Sequence, residues 1–239
     1  MFLAVINEST ILPAADLQKA VAACATQIKL HVAPMWDMVP AAIVYYPDKN
    51  DVPQGSDLLV ALDHSDQAGA LGYHRETPDG LPYGRVFVQP IINHGGDTLK
   101  GTLSVSADLS HEICEWFVDR FLNLWADGPD GQYSVEISDP VENDSYDIDG
   151  VSVSNFVTKR YFDRYAPAGT QFDYLNKLTK PFTMSSQGYI QVRKSDGSVQ
   201  EIWGERYPPW KKETKLFEAS RSNKRRQGWG GRRHPETHK

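Results

Sequence analysis

Cysteine is scarce in this chain: two residues in 239, Cys24 and Cys114. They are too few and too far apart for a disulfide framework or a cysteine-built zinc site, and both are expected as reduced thiols in the core. No stretch approaches 18 uninterrupted apolar residues, so membrane insertion is not expected. The opening MFLAVINESTILPAADL has no basic region running into a long apolar one, and the expectation is a protein made without a cleaved secretory signal. Internal repeats are also lacking. Histidine is absent between His111 and His234, which matters for the motif described below.

What is present divides by charge. The net charge of −6 combines a basic end, +7 over residues 204–239, with an acidic body, −13 over residues 1–203. Phe2–Asn7 reads as a short buried strand. Leu17, Ala20, Val21, Cys24 and Ile28 recur at helical spacing, so residues 13–30 read as a helix. Ala41–Pro47 and Asp57–Asp66 are β-rich runs separated by the turn-forming DKNDVPQGS. Ala70–His74 and Gly84–Pro90 flank TPDGLPYG, where the chain is expected to cross a sheet edge, with the edge strand near 84–90.

A helix is expected from about Leu109 to Trp125, capped by Asp108 or Ser106, with Ile113, Phe117, Phe121 and Leu124 as its core stripe. Beyond it, QYSVEISDPVE reads as an extended segment reaching a turn at Asp139-Pro140. Hairpins are expected around Asp149-Gly150 and Ser195-Asp196-Gly197.

The helix carries SHEICEWFVD. His111 and Glu115, four residues apart, lie about 40° apart around the axis, so both side chains can face one ion, and Asp119 continues the row. Glu112, beside His111, is placed to take a proton from a water without being a ligand. This follows the logic of H-E-x-x-H with a glutamate for the second histidine, a substitution that zinc accepts and that also suits other divalent ions. The carboxylates of Glu136, Asp139 and Glu142 follow a Gly-rich turn and can fold back to supply a third ligand. Competing accounts are a solvated helix face for Glu115 and Asp119, and an ordinary turn opening for Asp139. Asp63, His64, His74 and His94 read as strand-end or loop residues without a joint role.

The order strand, helix, strand, strand, edge strand, motif helix resembles the zincin metalloprotease fold. HEICEWFVD, WAD at 125–127 and VEISDPVE together resemble zincin-like proteins with an HExxE motif, including phage-encoded ones of unknown role. The resemblance implies an α+β fold in which a mixed twisted sheet carries a backing helix and an active-site helix, over residues 1–165. A hairpin and loop extension (166–204) and a basic arm (205–239) would follow. It implies a zinc ion on His111 and Glu115, with Asp119, Asp139 or Glu142 completing the set and Glu112 as general base of peptide-bond hydrolysis. The missing second histidine leaves a rival, a non-catalytic structural component of a virion.

The arm YPPWKKETKLFEASRSNKRRQGWGGRRHPETHK has little periodic apolar content and is not expected to fold alone. Arg225, Arg226, Trp229, Arg232 and Arg233 are its candidate partner contacts, to neighbouring virion subunits or along a nucleic-acid backbone. The expected location is the virion or the host cytoplasm.

Overall fold

The computed structural model describes residues 1–66 and 70–211. The apolar run FLAVIN forms β1 (Phe2–Asn7), which lies in the middle of a sheet with β2 (Ala42–Tyr46) and β3 (Asp57–Leu62) parallel on its two sides. β4 (Gly72–Glu76) and β5 (Pro82–Phe87) form an antiparallel hairpin, and β5 docks parallel to β3, giving the order β2-β1-β3-β5-β4. The edge strand is therefore β4 and not the segment near 84–90. β5 has ladder partners on both sides, whereas β4, GYHRE, is short and charged, the composition that an exposed edge tolerates. Val88–Pro90, expected as strand, opens the short helix α3 (Val88–Asn93).

Helix α1 (Ala14–Gln27) buries Leu17, Ala20, Val21 and Cys24, and continues through one π turn into α2 (Ala33–Met35). The motif helix α4 spans Val105–Val118. Its cap is Ser104, whose hydroxyl accepts the Ala107 amide at 3.2 Å, rather than Ser106 or Asp108. It stops short of Trp125 because Asp119 leaves helical geometry at φ −121°, ψ 62°, and its carboxylate accepts the amides of Asn123 and Leu124 at 2.9–3.2 Å. Phe121 and Leu124 consequently leave the expected core stripe and are 42% and 44% exposed.

α1 and α4 lie against each other and against the sheet. Leu3, Val5, Ile43, Leu59, Ala61 and Val86 share one core with Leu17, Val21, Leu109, Ile113 and Phe117. Cys24 and Cys114 are both buried and free. β6 (Trp125–Asp127) and β7 (Gln132–Ser134) pair with each other, and β10 (Tyr189–Arg193) with β11 (Val199–Trp203) completes a four-stranded sheet ordered β11-β10-β7-β6. The segment expected as an extension after residue 166 thus finishes a sheet begun at residue 125. β8 (Ser145–Ile148) and β9 (Val151–Ser154) form the hairpin expected at Asp149-Gly150, where φ of 48° and 80° gives the two left-handed positions of a type I′ turn. β9 packs on both α1 and α4. The fold is mixed α+β, and among the described residues no helix is long and apolar enough to cross a membrane.

The C-terminal end of α4 is pinned to β3 by Asp57. This residue is 1% exposed, and its carboxylate accepts Trp116 Nε1 at 2.8 Å and Arg120 Nε and Nη2 at 2.5 and 2.6 Å. Removing one partner of such a buried pair strands the other, so Asp57→Ala is expected to lower stability by about 3 kcal/mol. Urea denaturation with an unchanged slope would check it, and a loss below ~1 kcal/mol would show that the clamp is dispensable.

Candidate metal centre

Asp108, His111, Glu112 and Glu115 fall at i, i+3, i+4 and i+7 of α4 and form one polar stripe, while Leu109, Ile113 and Phe117 on the other side are fully buried in the core. Two buried contacts set which way the stripe faces. One is the Asp57 clamp. The other is a polar link in which Ser110 Oγ donates to Gln27 Oε1 at 2.7 Å and Gln27 Nε2 donates to Ser154 O at 2.8 Å, joining α4 to α1 and β9.

The stripe meets β4 and the segment that follows β7. Strand alternation sends Tyr73 into a separate apolar cluster with Ala70 and Phe87, and places Gly72 and His74 against the helix. Gly72 is required by this approach: a Cβ there would lie 2.5 Å from Asp108 Oδ2 and 3.2 Å from Glu112 Cγ. Residues 135–141 run buried past α4 and bring in Glu136 and Asp139, each 2% exposed.

The result is two overlapping groups of donors. His111 Nε2 stands 3.1 Å from Glu115 Oε1 and 3.2 Å from Asp139 Oδ1. His74 Nδ1 stands 3.2 Å from Glu112 Oε2 and 3.7 Å from Glu115 Oε2. In each trio, His111–Glu115–Asp139 and His74–Glu112–Glu115, the donor atoms lie within 4.8 Å of one another. Donors about 2.1 Å from a tetrahedral ion are roughly 3.4 Å apart, so the first trio has the spacing and the chemistry to hold a divalent cation. An imidazole nitrogen carries at most one proton and cannot point it at both Glu115 and Asp139, whereas a cation is served by both.

No protein-family model matches this chain, and no curated protein or solved structure does either.

Among the residues expected at the site, His111, Glu115 and Asp139 come together. Glu112 joins the second trio as a potential ligand. Asp119 is elsewhere, spent on the amides of Asn123 and Leu124. Glu142 lies at the margin, accepting Tyr207 Oη at 2.7 Å with Lys211 Nζ at 3.6 Å. The arm residues Arg225, Arg226, Trp229, Arg232 and Arg233 lie outside the described residues. Glu136, expected with Asp139 and Glu142 as a source of a third ligand, is buried beside His74, and His74 and Asp108 are the additions. The clue to His74 was available in GYHRE, where a glycine two residues earlier frees the strand face that the imidazole shares. Asp63, by contrast, accepts the amide and hydroxyl of Thr10, and His94 stacks on Trp210 at 4.1 Å. A cavity of about 20 Å³ reaches His111, lined also by Asp108, Glu142 and Lys211, which is room for one water.

Burial dominates the protonation of these groups. It pushes Glu115 up to about 8, with repulsion from Asp139 adding to it and His111 opposing. It pushes Asp108 up to about 7, helped by Glu112. For both imidazoles burial acts downward, but for His111 the Glu115 and Asp139 carboxylates, and for His74 the Glu112 hydrogen bond with Glu136, outweigh it and raise the pKa. Each of these groups holds its proton more tightly folded than unfolded. These four groups therefore bind more protons in the folded, metal-free chain than in the unfolded one from about pH 4 to about pH 8, and their contribution to stability falls as pH rises across that window. Chelator-treated protein is expected to melt at a lower temperature at pH 8 than at pH 5, a difference that added divalent metal removes. Thermal unfolding by circular dichroism checks this, and equal melting points without metal would contradict the assignment.

Proposed function

We propose that this chain is a metal-dependent hydrolase of the zincin type, phage-like, acting on peptide bonds. The observation that carries the reading is the His111–Glu115–Asp139 trio, built from the motif helix and the segment after β7. The succession of strand, helix, two strands, a hairpin at the sheet edge and the motif helix supports it. Zinc is the proposed ion, since it accepts one imidazole with carboxylate oxygens. A divalent ion held there would supply Lewis-acid chemistry, polarising a carbonyl and making water a better nucleophile at neutral pH.

The protein's own groups then have defined tasks. His111 Nε2, Glu115 Oε1 and Asp139 Oδ1 would hold the ion. In a one-ion enzyme Glu112 Oε2 accepts the proton of the water that attacks the carbonyl carbon and passes it to the amine that leaves as the C–N bond breaks, with His74 Nδ1 holding the carboxylate in place. An extended peptide would add itself along β4, the edge strand that carries His74.

One observation favours a second reading, a non-catalytic virion component that assembles through its basic arm. His111, Glu112, Glu115 and Asp139 are all at most 6% exposed, as in a closed structural metal site. Tyr207 and Lys211, bonded to Glu142 and Asn143, lie over the same margin. The two readings separate by experiment. For the hydrolase, elemental mass spectrometry finds stoichiometric zinc in the wild type that is diminished in His111→Ala and Asp139→Asn. Cleavage of a peptide library falls in both variants by on the order of 10³-fold, the several kcal/mol that a Lewis acid contributes. Bound zinc with no cleavage of any peptide would leave the structural reading.

A further inference from the structure

We propose that the cluster holds two divalent cations bridged by Glu115, the second lying in a site made by His74 Nδ1, Glu112 and Glu115. The inference shares Glu115 with the centre proposed above and rests on that reading only for the first ion.

The geometry of Glu115 is the main support. Its Oε1 is 3.1 Å from His111 Nε2 and its Oε2 is 3.7 Å from His74 Nδ1, so the two oxygens of one carboxylate face two different imidazoles. A carboxylate placed in this way can give one oxygen to each of two ions. The separations in the second trio, 3.2 and 3.7 Å from Nδ1, bracket the roughly 3.4 Å expected for tetrahedral donors, and those of the first trio, 3.1 and 3.2 Å, lie just below it.

Charge points the same way. Glu112, Glu115, Glu136 and Asp139 are each at most 2% exposed, and His74 and His111, each at most 6% exposed, lie among them. Fully ionised, the four carboxylates bring four negative charges into a space out of water. Each dication compensates two of these charges. Buried charge of this kind is stable only when it is paired or when it coordinates metal.

The site is also built rather than incidental. His74 is 2% exposed on an edge strand, where a charged or polar side chain ordinarily turns outward, and its Nε2 has no hydrogen-bond partner among the described residues. All its polar contacts pass through Nδ1 into the cluster. Gly72 lets β4 come close enough to α4 for that reach. Glu112 thereby becomes a ligand whenever the second ion is bound, in place of the proton acceptor of a one-ion enzyme. The donor set of imidazole with several carboxylates suits Zn²⁺, Mn²⁺ or Fe²⁺ better than a thiophilic ion.

The test uses the full chain, stripped with chelator, dialysed against Zn²⁺ or Mn²⁺ and assayed by elemental mass spectrometry. Two ions per chain are expected in the wild type. One is expected in His74→Ala and in Glu112→Gln, and one in His111→Ala, with Glu115→Gln below one. Circular dichroism melts establish that each variant is folded. The wild type gives a second readout: Mn²⁺-loaded protein should show the spin-coupled electron paramagnetic resonance of a close pair, which the isolated-ion spectrum replaces in Glu112→Gln. One ion per chain in the wild type, an uncoupled spectrum at full loading, or a wild-type count in folded His74→Ala would each overturn the inference. Two coupled ions without peptide cleavage would uphold it and sink the hydrolase. One ion with cleavage lost in His111→Ala would do the reverse.

Discussion

Glu112, Glu115, Glu136 and Asp139 are removed from water around two imidazoles, and much else in this structure serves that arrangement. Burying a carboxylate costs several kcal/mol even after the protein relaxes. The chain meets this cost by bringing donors from three separate places, the stripe on α4, the edge strand β4 and the segment 135–141, so that each carboxylate has an imidazole or another carboxyl to share a proton or an ion with. The raised protonation of Glu115 and Asp108 expresses the same cost in a metal-free chain.

Such a cluster needs a rigid surround, since a shift of one ångström would separate the donors. The rigidity comes from polar ties and not from packing alone. Asp57 clamps the far end of α4 through Trp116 and Arg120, and Ser110, Gln27 and Ser154 tie its middle to α1 and β9. These ties lie on the sides of the helix away from the stripe. They fix its rotation about its own axis, which an apolar face by itself constrains only loosely. Gly72 completes the arrangement by removing the one side chain that would hold β4 away from the helix.

Access is the other constraint on function. Beside His111 lies a space for one water, lined also by Asp108, Glu142 and Lys211. Tyr207, Trp210 and Lys211 lead directly into the basic arm. The margin of the site thus lies at the last of the described residues.

Local pattern determined a large share of this protein. The helical stripe of Leu17 to Ile28, the alternation and turn chemistry of the strands, and the hairpin at Asp149-Gly150 are properties of neighbouring residues, and they could be read directly. So could the pairing of His111 with Glu115, because four residues on a helix always share a face. The limits of α4 could not be read, since Asp119 ends it by capturing amides four and five residues later, and Phe121 and Leu124 continued the apolar period past that point. Nor could the edge of the sheet, because which of β4 and β5 lies outside depends on β5 finding β3 some twenty residues earlier. Only the tertiary structure decided which acidic residues matter. Asp119, Asp139 and Glu142 looked alike as acidic residues, and burial beside His111 selected Asp139. His74 looked like a loop histidine until strand pairing turned it toward α4. Helical spacing is a local geometric fact, whereas a donor set from a strand, a helix and a loop exists only after loop closure and sheet pairing have brought them together.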